Sequence, residues 1–263
     1  MSDILDVETL GSIQRLTLNR PARLNALNQA MAEGLLAYFE GLRRNRDIRV
    51  VILRGAGRAF CAGADLKALG APDQLQDGPR GDWLLRDVQK AMRNCPQPII
   101  ALVNGPAAGG GFTMALSADV IVAAEGASFQ PAFIKLGLSG AELGASWQLQ
   151  RALGVSRARA MLLTGRPINA STALQAGLVA AVTPVADLDA YGITLAEDML
   201  KAAPDALRLT KRTLDLALEN LSLEAAMELE ERAQMLMVSH FRAPAQNPRE
   251  VPHGMNPQDA RPS

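Results

Sequence analysis

Apolar and polar positions along this chain follow two rhythms, and the places where one gives way to the other mark its elements. Ile4–Glu8 and Ser12–Leu18 cluster or alternate apolar side chains on either side of Leu10-Gly11, which predicts an N-terminal β-hairpin. A polar turn, Asn19–Asn28, follows. Met31, Leu35, Leu36, Phe39 and Leu42 then recur at helical spacing, so an amphipathic helix is expected over 29–45 with Asn28 as its N-cap. The unbroken run Val50-Val51-Ile52-Leu53 has the pattern of a strand buried on both faces. It leads into a glycine-rich loop, Gly55–Lys67, with small residues around Gly63 and with Asp65 placed to open a short helix. Residues 71–82, rich in Pro, Asp, Gln and Gly, read as a surface loop that either covers a ligand or is simply tolerated there. A helix over 83–94 follows, with Trp83, Leu84, Val88 and Met92 on one side.

The stretch Ile99–Asp119 organises the rest. Its aliphatic run stops at Asn104-Gly105-Pro106, passes Gly109-Gly110-Gly111 and resumes as a small-residue segment, which reads as strand, tight loop and helix. Val120–Ala124 and Ala127–Phe129 give two more strands. Between Phe129 and Trp147 lies a loop rich in Gly and Pro that holds one carboxylate, Glu142, and leads into a helix through Leu149 and Leu153. Further helices are expected over 156–164, 169–177 and 187–202. In the last pair, 204–219 and 222–241, a stripe of Ala226, Leu229, Ala233, Leu236, Met237 and His240 is a packing surface, within the chain or against another subunit. The expected organisation is an α/β domain over 1–202, a helical region over 203–242 and a disordered tail over 243–263.

Composition narrows the chemistry. Lys and Arg number 27, Asp and Glu also 27, and no basic block appears, so the field that nucleic acid or an anionic membrane would require is missing. No leader pattern opens the chain and no apolar run is long enough to cross a bilayer, so a cytoplasmic location is expected. Cys61 and Cys95 fit a reducing compartment as buried thiols. His240 and His253 lie far from every glycine loop, which leaves a Ser-His-Asp triad or a metal site little to draw on. Chemistry falls to carboxylates and main-chain dipoles.

Three consecutive glycines let the backbone approach a bound group, and the helix behind them presents unpaired N–H groups to an anion or a polarised carbonyl oxygen. Close helix–strand packing also accounts for such a run. A phosphate loop does not, because Phe112 stands where its Lys belongs. With the Gly63 loop also following a buried strand, a pair of converging N–H donors is within reach. Glu142, flanked by Leu138, Ala141, Leu143 and Trp147, is expected in apolar surroundings that raise its pKa toward the range of proton transfer. An exposed glutamate at a helix start leaves the same trace.

Four segments, in order, resemble the crotonase or enoyl-CoA hydratase/isomerase family: Leu16-Thr17-Leu18-Asn19-Arg20-Pro21 with Leu24-Asn25-Ala26-Leu27; Phe60-Cys61-Ala62-Gly63-Ala64-Asp65-Leu66; Val103-Asn104-Gly105 with Gly109-Gly110-Gly111; and Leu162-Leu163-Thr164-Gly165 with Ala176-Gly177-Leu178-Val179. The resemblance implies a spiral of ββα turns with a C-terminal helical region used in trimerisation, as a homotrimer or a dimer of trimers. It implies an acyl-CoA thioester as ligand, with coenzyme A arriving as part of the substrate and no cofactor held permanently. The N–H groups of Ala64 and Gly110 would form an oxyanion hole, and Arg23, Leu24, Ala62, Asp65, Leu66 and Lys67 would border the CoA, with Arg23 and Lys67 facing its phosphates. Family hydratases hold a water between two glutamates. Alignment on the glycines puts Thr113 at the first of those positions, and alignment on Leu136-Gly137-Leu138 puts Phe133 at the second. Neither exchanges a proton near neutral pH. Glu142, close to where some isomerases of the family place a carboxylate, makes double-bond isomerisation of an enoyl-CoA the expected reaction. Hydration by a non-standard site, acyl-CoA hydrolysis, decarboxylation or C–C cleavage, and a CoA-binding protein without catalysis are the alternatives.

Overall fold

The structure, a computed structural model, describes residues 4–66, 80–219 and 222–242, and within them the side chains of all but 80–83 and 239–242. Lys67, the expected loop as far as residue 79, the short helix expected at Asp65 beyond Leu66, and the tail 243–263 lie outside the described residues.

The N-terminal hairpin pairs β1 (Leu5–Leu10) with β2 (Ile13–Leu18), Leu10 opposite Ile13. Four strands then join in parallel, β3 (Val50–Gly55), β4 (Ile99–Val103), β6 (Val120–Ala124) and β9 (Ala181–Thr183), giving the order β1-β2-β3-β4-β6-β9. No residue of β4 is exposed. The reason is visible in the packing: Val51, Leu53, Ile99, Ala101 and Val103 belong to the core that includes α1 (Gln29–Leu42) and α2 (Arg80–Asn94), whereas Leu102 lies against Gly192 of α7 (Leu188–Leu200). A strand covered on both faces needs hydrocarbon at every position, which is the unbroken run in the sequence. Helix α1 buries Met31, Leu35, Phe39 and Leu42, and the Asn28 side chain accepts from the Met31 N–H at 3.0 Å as its cap.

Three short strands form a second sheet in the order β5-β7-β8: β5 (Pro106–Ala108), β7 (Ser128–Gln130) and β8 (Ile168–Asn169). The chain therefore repeats one pass. It runs along the large sheet, drops a short strand into the small one and returns through a helix: β4, β5, α3 (Gly110–Leu116), then β6, β7, α4 (Ala145–Leu153) and α5 (Val155–Thr164); β8 of the small sheet, α6 (Ala170–Gln175), β9 of the large one and α7 then close the series. This is a spiral of ββα turns in an α/β chain. The strands β5, β8 and β9 were not expected, since two or three residues are too few to display an alternating pattern. On α2 the buried face contains Val88 and Met92 as expected, and extends further than expected. It consists of Leu85, Val88, Gln89, Ala91 and Met92, and Leu84 is half-buried.

Residues from Lys201 onward cluster as a separate compact unit containing α8 (Pro204–Ala217) and α9 (Leu223–Arg242). Helix α9 leaves Leu223, Met227, Met235, Leu236 and Val238 exposed. Among the described residues no helix is long and apolar enough to cross a membrane.

Candidate active site

The small sheet decides where the functional loops meet. Cys61 bridges to Ala107 in parallel, Ala107 pairs with Phe129, and Phe129 with Ile168, so one row of residues crosses four passes of the chain. The first three strands of this row run parallel, and each releases its loop at the same edge within two or three residues of the row. Gly63-Ala64, Gly109-Gly110 and Pro131–Phe133 are thereby brought together. Gly63 has a φ of +89°, and a Cβ there would lie 2.7 Å from the Ala108 carbonyl oxygen and 3.3 Å from the Gly110 nitrogen. Only glycine lets the two turns touch. Gly111 is as constrained, because a Cβ would fall 2.7 Å from the Cys61 sulfur.

The amides at this contact are free for a ligand. Leu27 bridges to Ala64 in parallel: Leu27 N–H donates to Gly63 O at 2.7 Å and Asp65 N–H donates to Leu27 O at 2.9 Å. In such a bridge the Ala64 amide faces away from Leu27. Gly110 opens α3, where a helical N–H has no carbonyl four residues back. Among the described residues neither the Ala64 nor the Gly110 N–H has a hydrogen-bond partner. Around the Gly110 Cα stand hydrocarbon ends. A Cβ there would meet Leu85 Cδ1 at 3.3 Å, Leu27 Cδ1 at 3.4 Å and Leu143 Cδ1 at 3.9 Å.

Polar residues behind the first turn hold it in place. Asn25, fully buried with a φ of +55°, donates from Nδ2 to the carbonyls of Ala56, Ala59 and Phe60 at 2.9, 2.8 and 3.2 Å. Arg20 pairs with Asp65 at 2.9 Å and also reaches the Ala26 carbonyl. Asp65 therefore anchors the loop that carries Ala64. Leu24 (φ +50°) and Ala62 are half-buried and joined by a hydrogen bond from Ala62 N–H to Leu24 O, while Arg23 and Leu66 are exposed.

Thr113 is wholly buried, one turn into α3, and accepts from Gln89 Nε2 at 2.7 Å. Phe133 is buried with its ring edge 3.8 Å from where a Cβ on Gly109 would stand. Glu142 is half-buried, and its Oε1 accepts from the Leu143 N–H at 3.3 Å. Leu143 is buried with a φ of +50°, a conformation that a leucine side chain disfavours and that the fold imposes here, beside Gly110. The apolar enclosure expected for Glu142 is narrower than its neighbours in sequence implied. Leu138 and Ala141 are exposed beyond the left-handed turn at Gly137, Trp147 is half-buried, and Leu143 alone of the four is buried.

Cys61 is fully buried and donates its thiol to Asn25 O at 3.1 Å; burial pushes its pKa from 9.0 up to about 12. A thiol held neutral is a poor nucleophile, so the folded protein is expected to leave Cys61 unmodified by a thiol reagent near pH 8, and unfolding to expose it. The unfolded chain gives up this proton at lower pH than the folded one, so stability should fall as pH climbs from 9 toward 12, which alkaline melting curves would measure. Tyr38, raised by burial and then by Cys95, acts in the same sense.

Residues 8–245 match the family described as enoyl-CoA hydratase/isomerase. The chain belongs to that family. A probable enoyl-CoA hydratase of Mycobacterium tuberculosis is 39% identical over 231 residues, covering 86% of this chain and 81% of the relative. Among solved structures, an enoyl-CoA hydratase from Bacillus anthracis superposes with a TM-score of 0.84 at 32% identity, covering 90% of this chain and 91% of the other. A monofunctional enoyl-CoA isomerase from M. smegmatis superposes with a TM-score of 0.74 at 37% identity, covering 86% and 99%. Enoyl-CoA hydratase/isomerase membership thus rests on sequence and on fold alike. Gln89, Asn25 and Arg20 are the residues around the site that the sequence reading did not single out. The signal for Gln89 was present as an amide on an otherwise apolar helix face.

Proposed function

We propose that this family member moves the double bond of an enoyl-CoA thioester, taking a 3-enoyl thioester to its 2-enoyl isomer. The observation that carries the reading is the pair of unengaged amides, Ala64 and Gly110, in touching loops, with the loop of Glu142 packed against the second of them through Leu143. Glu142 takes a proton from C2, the electron pair moves toward the carbonyl, and negative charge gathers on the thioester oxygen. The two amides stabilise that oxygen more when it is charged than when it is neutral. Return of the proton to C4 leaves the double bond between C2 and C3. One base that then serves as acid is sufficient for such a shift. Thr113 and Phe133, at the positions of the two hydratase glutamates, supply no second acid, and Leu27, Leu85 and Leu143 offer no hydrogen-bonding side chain to an attacking water.

In this reading Arg23, Leu24, Ala62, Asp65 and Leu66 border the CoA portion, with Arg23 facing its phosphates. The exposed apolar side chains of α9 support assembly into a homotrimer or a dimer of trimers. Incubation with a medium-chain 3-enoyl-CoA and, separately, a 2-enoyl-CoA tests the proposal by chromatography of the products. Migration of the double bond is the expected result. Hydration is the second reading, favoured by the hydratase names among the relatives, and it would appear as 3-hydroxyacyl-CoA from the 2-enoyl substrate. Binding of both thioesters without turnover would reject catalysis.

A further inference from the structure

Gln89 lies on the buried face of α2 among Leu85, Val88 and Met92, an amide where the helix otherwise presents hydrocarbon. Its Nε2 donates to Thr113 Oγ1 at 2.7 Å, and the Thr113 hydroxyl donates in turn to the Gly110 carbonyl at 3.1 Å. Both side chains are buried, so these bonds have little competition from water and their loss leaves polar groups stranded. A hydroxyl carries a single proton. An amide N–H aimed at Thr113 therefore obliges Thr113 to send its proton to Gly110. We propose that Gln89 and Thr113 are a positioning pair that fixes the first turn of α3, and with it the Gly110 N–H, against the thioester oxygen. The inference rests on the reading of Gly110 as an oxyanion donor. It gives the position occupied by glutamate in hydratases a different task here: a hydroxyl whose proton is already engaged has none to donate to a water.

The near-isosteric Gln89→Glu variant reverses the relay. As a carboxylate it can only accept, so Thr113 turns its proton away from Gly110. Protonated, it donates as the amide does. Burial disfavours the charged form and brings that switch toward neutral pH. The full-length protein is loaded with hexanoyl-CoA labelled with carbon-13 at the carbonyl, a saturated thioester that has no double bond to move, and the carbonyl stretch is followed by difference infrared spectroscopy between pH 5 and pH 8. The unaltered protein should lower the stretch at every pH. Gln89→Glu should lose at pH 8 the part of that shift due to Gly110, Ala64 still donating, and regain it at pH 5; Thr113→Val should show the reduced shift throughout, and Thr113→Ser should keep the whole of it. With a substrate that turns over, kcat of Gln89→Glu at pH 8 should fall by about tenfold to a hundredfold with KM nearly unchanged. A Gln89→Glu band identical to that of the unaltered protein at pH 8, or Thr113→Val and Thr113→Ser bands that coincide, overturns the pair's role. An unshifted carbonyl in the unaltered protein removes the oxyanion reading of Gly110 itself, so the two failures are told apart.

Discussion

Glu142→Gln is expected to slow double-bond migration by about 10²–10⁴-fold, the range that a positioned general base contributes, while CoA thioesters bind nearly as before. The substitution keeps the shape of the side chain and an oxygen able to accept from the Leu143 N–H, so the strained turn at Leu143 has no reason to rearrange. What is lost is the capacity to hold a proton between C2 and C4. Steady-state kinetics on a 3-enoyl-CoA, with thioester affinity measured by calorimetry, separate the two terms. Full activity in this variant would remove Glu142 from the mechanism, and a rise in KM with kcat unchanged would leave it a binding group only.

The second large effect is expected at Gly110. Proline is accommodated at the first position of a helix, where its fixed φ suits the turn and the N–H it lacks has no helical partner. Gly110→Pro therefore deletes one proposed donor with the backbone otherwise largely preserved, and loss of a single oxyanion donor is worth about 10²–10³ in kcat. Gly110→Ala is the control. It adds the same Cβ against the ends of Leu85 and Leu27 at 3.3 and 3.4 Å but keeps the N–H. Isomerisation rates in which alanine retains most activity and proline loses it place the effect at the amide nitrogen, where the proline ring puts a methylene in place of the N–H. Equal rates in the two variants, with equal melting temperatures, would mean that this N–H does not touch the carbonyl oxygen.

Large parts of the fold were legible because long elements repeat their signal. The hairpin, α1 and the buried strands β3 and β4 show their periods over five or more residues. The glycine loops were legible for a different reason, since a backbone that touches another backbone leaves no room for a side chain, and Gly63 and Gly111 stand at such contacts. The small sheet was not legible. Pro106–Ala108 and Ile168–Asn169 become strands through the neighbours they meet, which no local pattern encodes. Asn25 and Arg20 looked like residues of a polar turn, yet one is buried under three carbonyls and the other under an ion pair with Asp65, because the turn is folded inward by partners thirty to forty-five residues away. Gln89 was hidden in the same way, by a partner twenty-four residues away. Its partner Thr113 lies across two strands of the chain's path, so an amide on the otherwise apolar face of α2 does not reveal locally what it bonds.

The row from Cys61 through Ala107 and Phe129 to Ile168 gives the chain a division of labour. In the proposed mechanism the grip on the carbonyl is assembled from the first two rungs, and the proton carrier hangs from the slack beyond the third. Exchanging the segment between Phe133 and Ala145 for one with its acidic side chain a residue or two earlier or later would redirect the attack along the acyl chain without disturbing the hold. New reactivity in this scaffold is therefore a matter of rewriting one excursion rather than rebuilding the ladder.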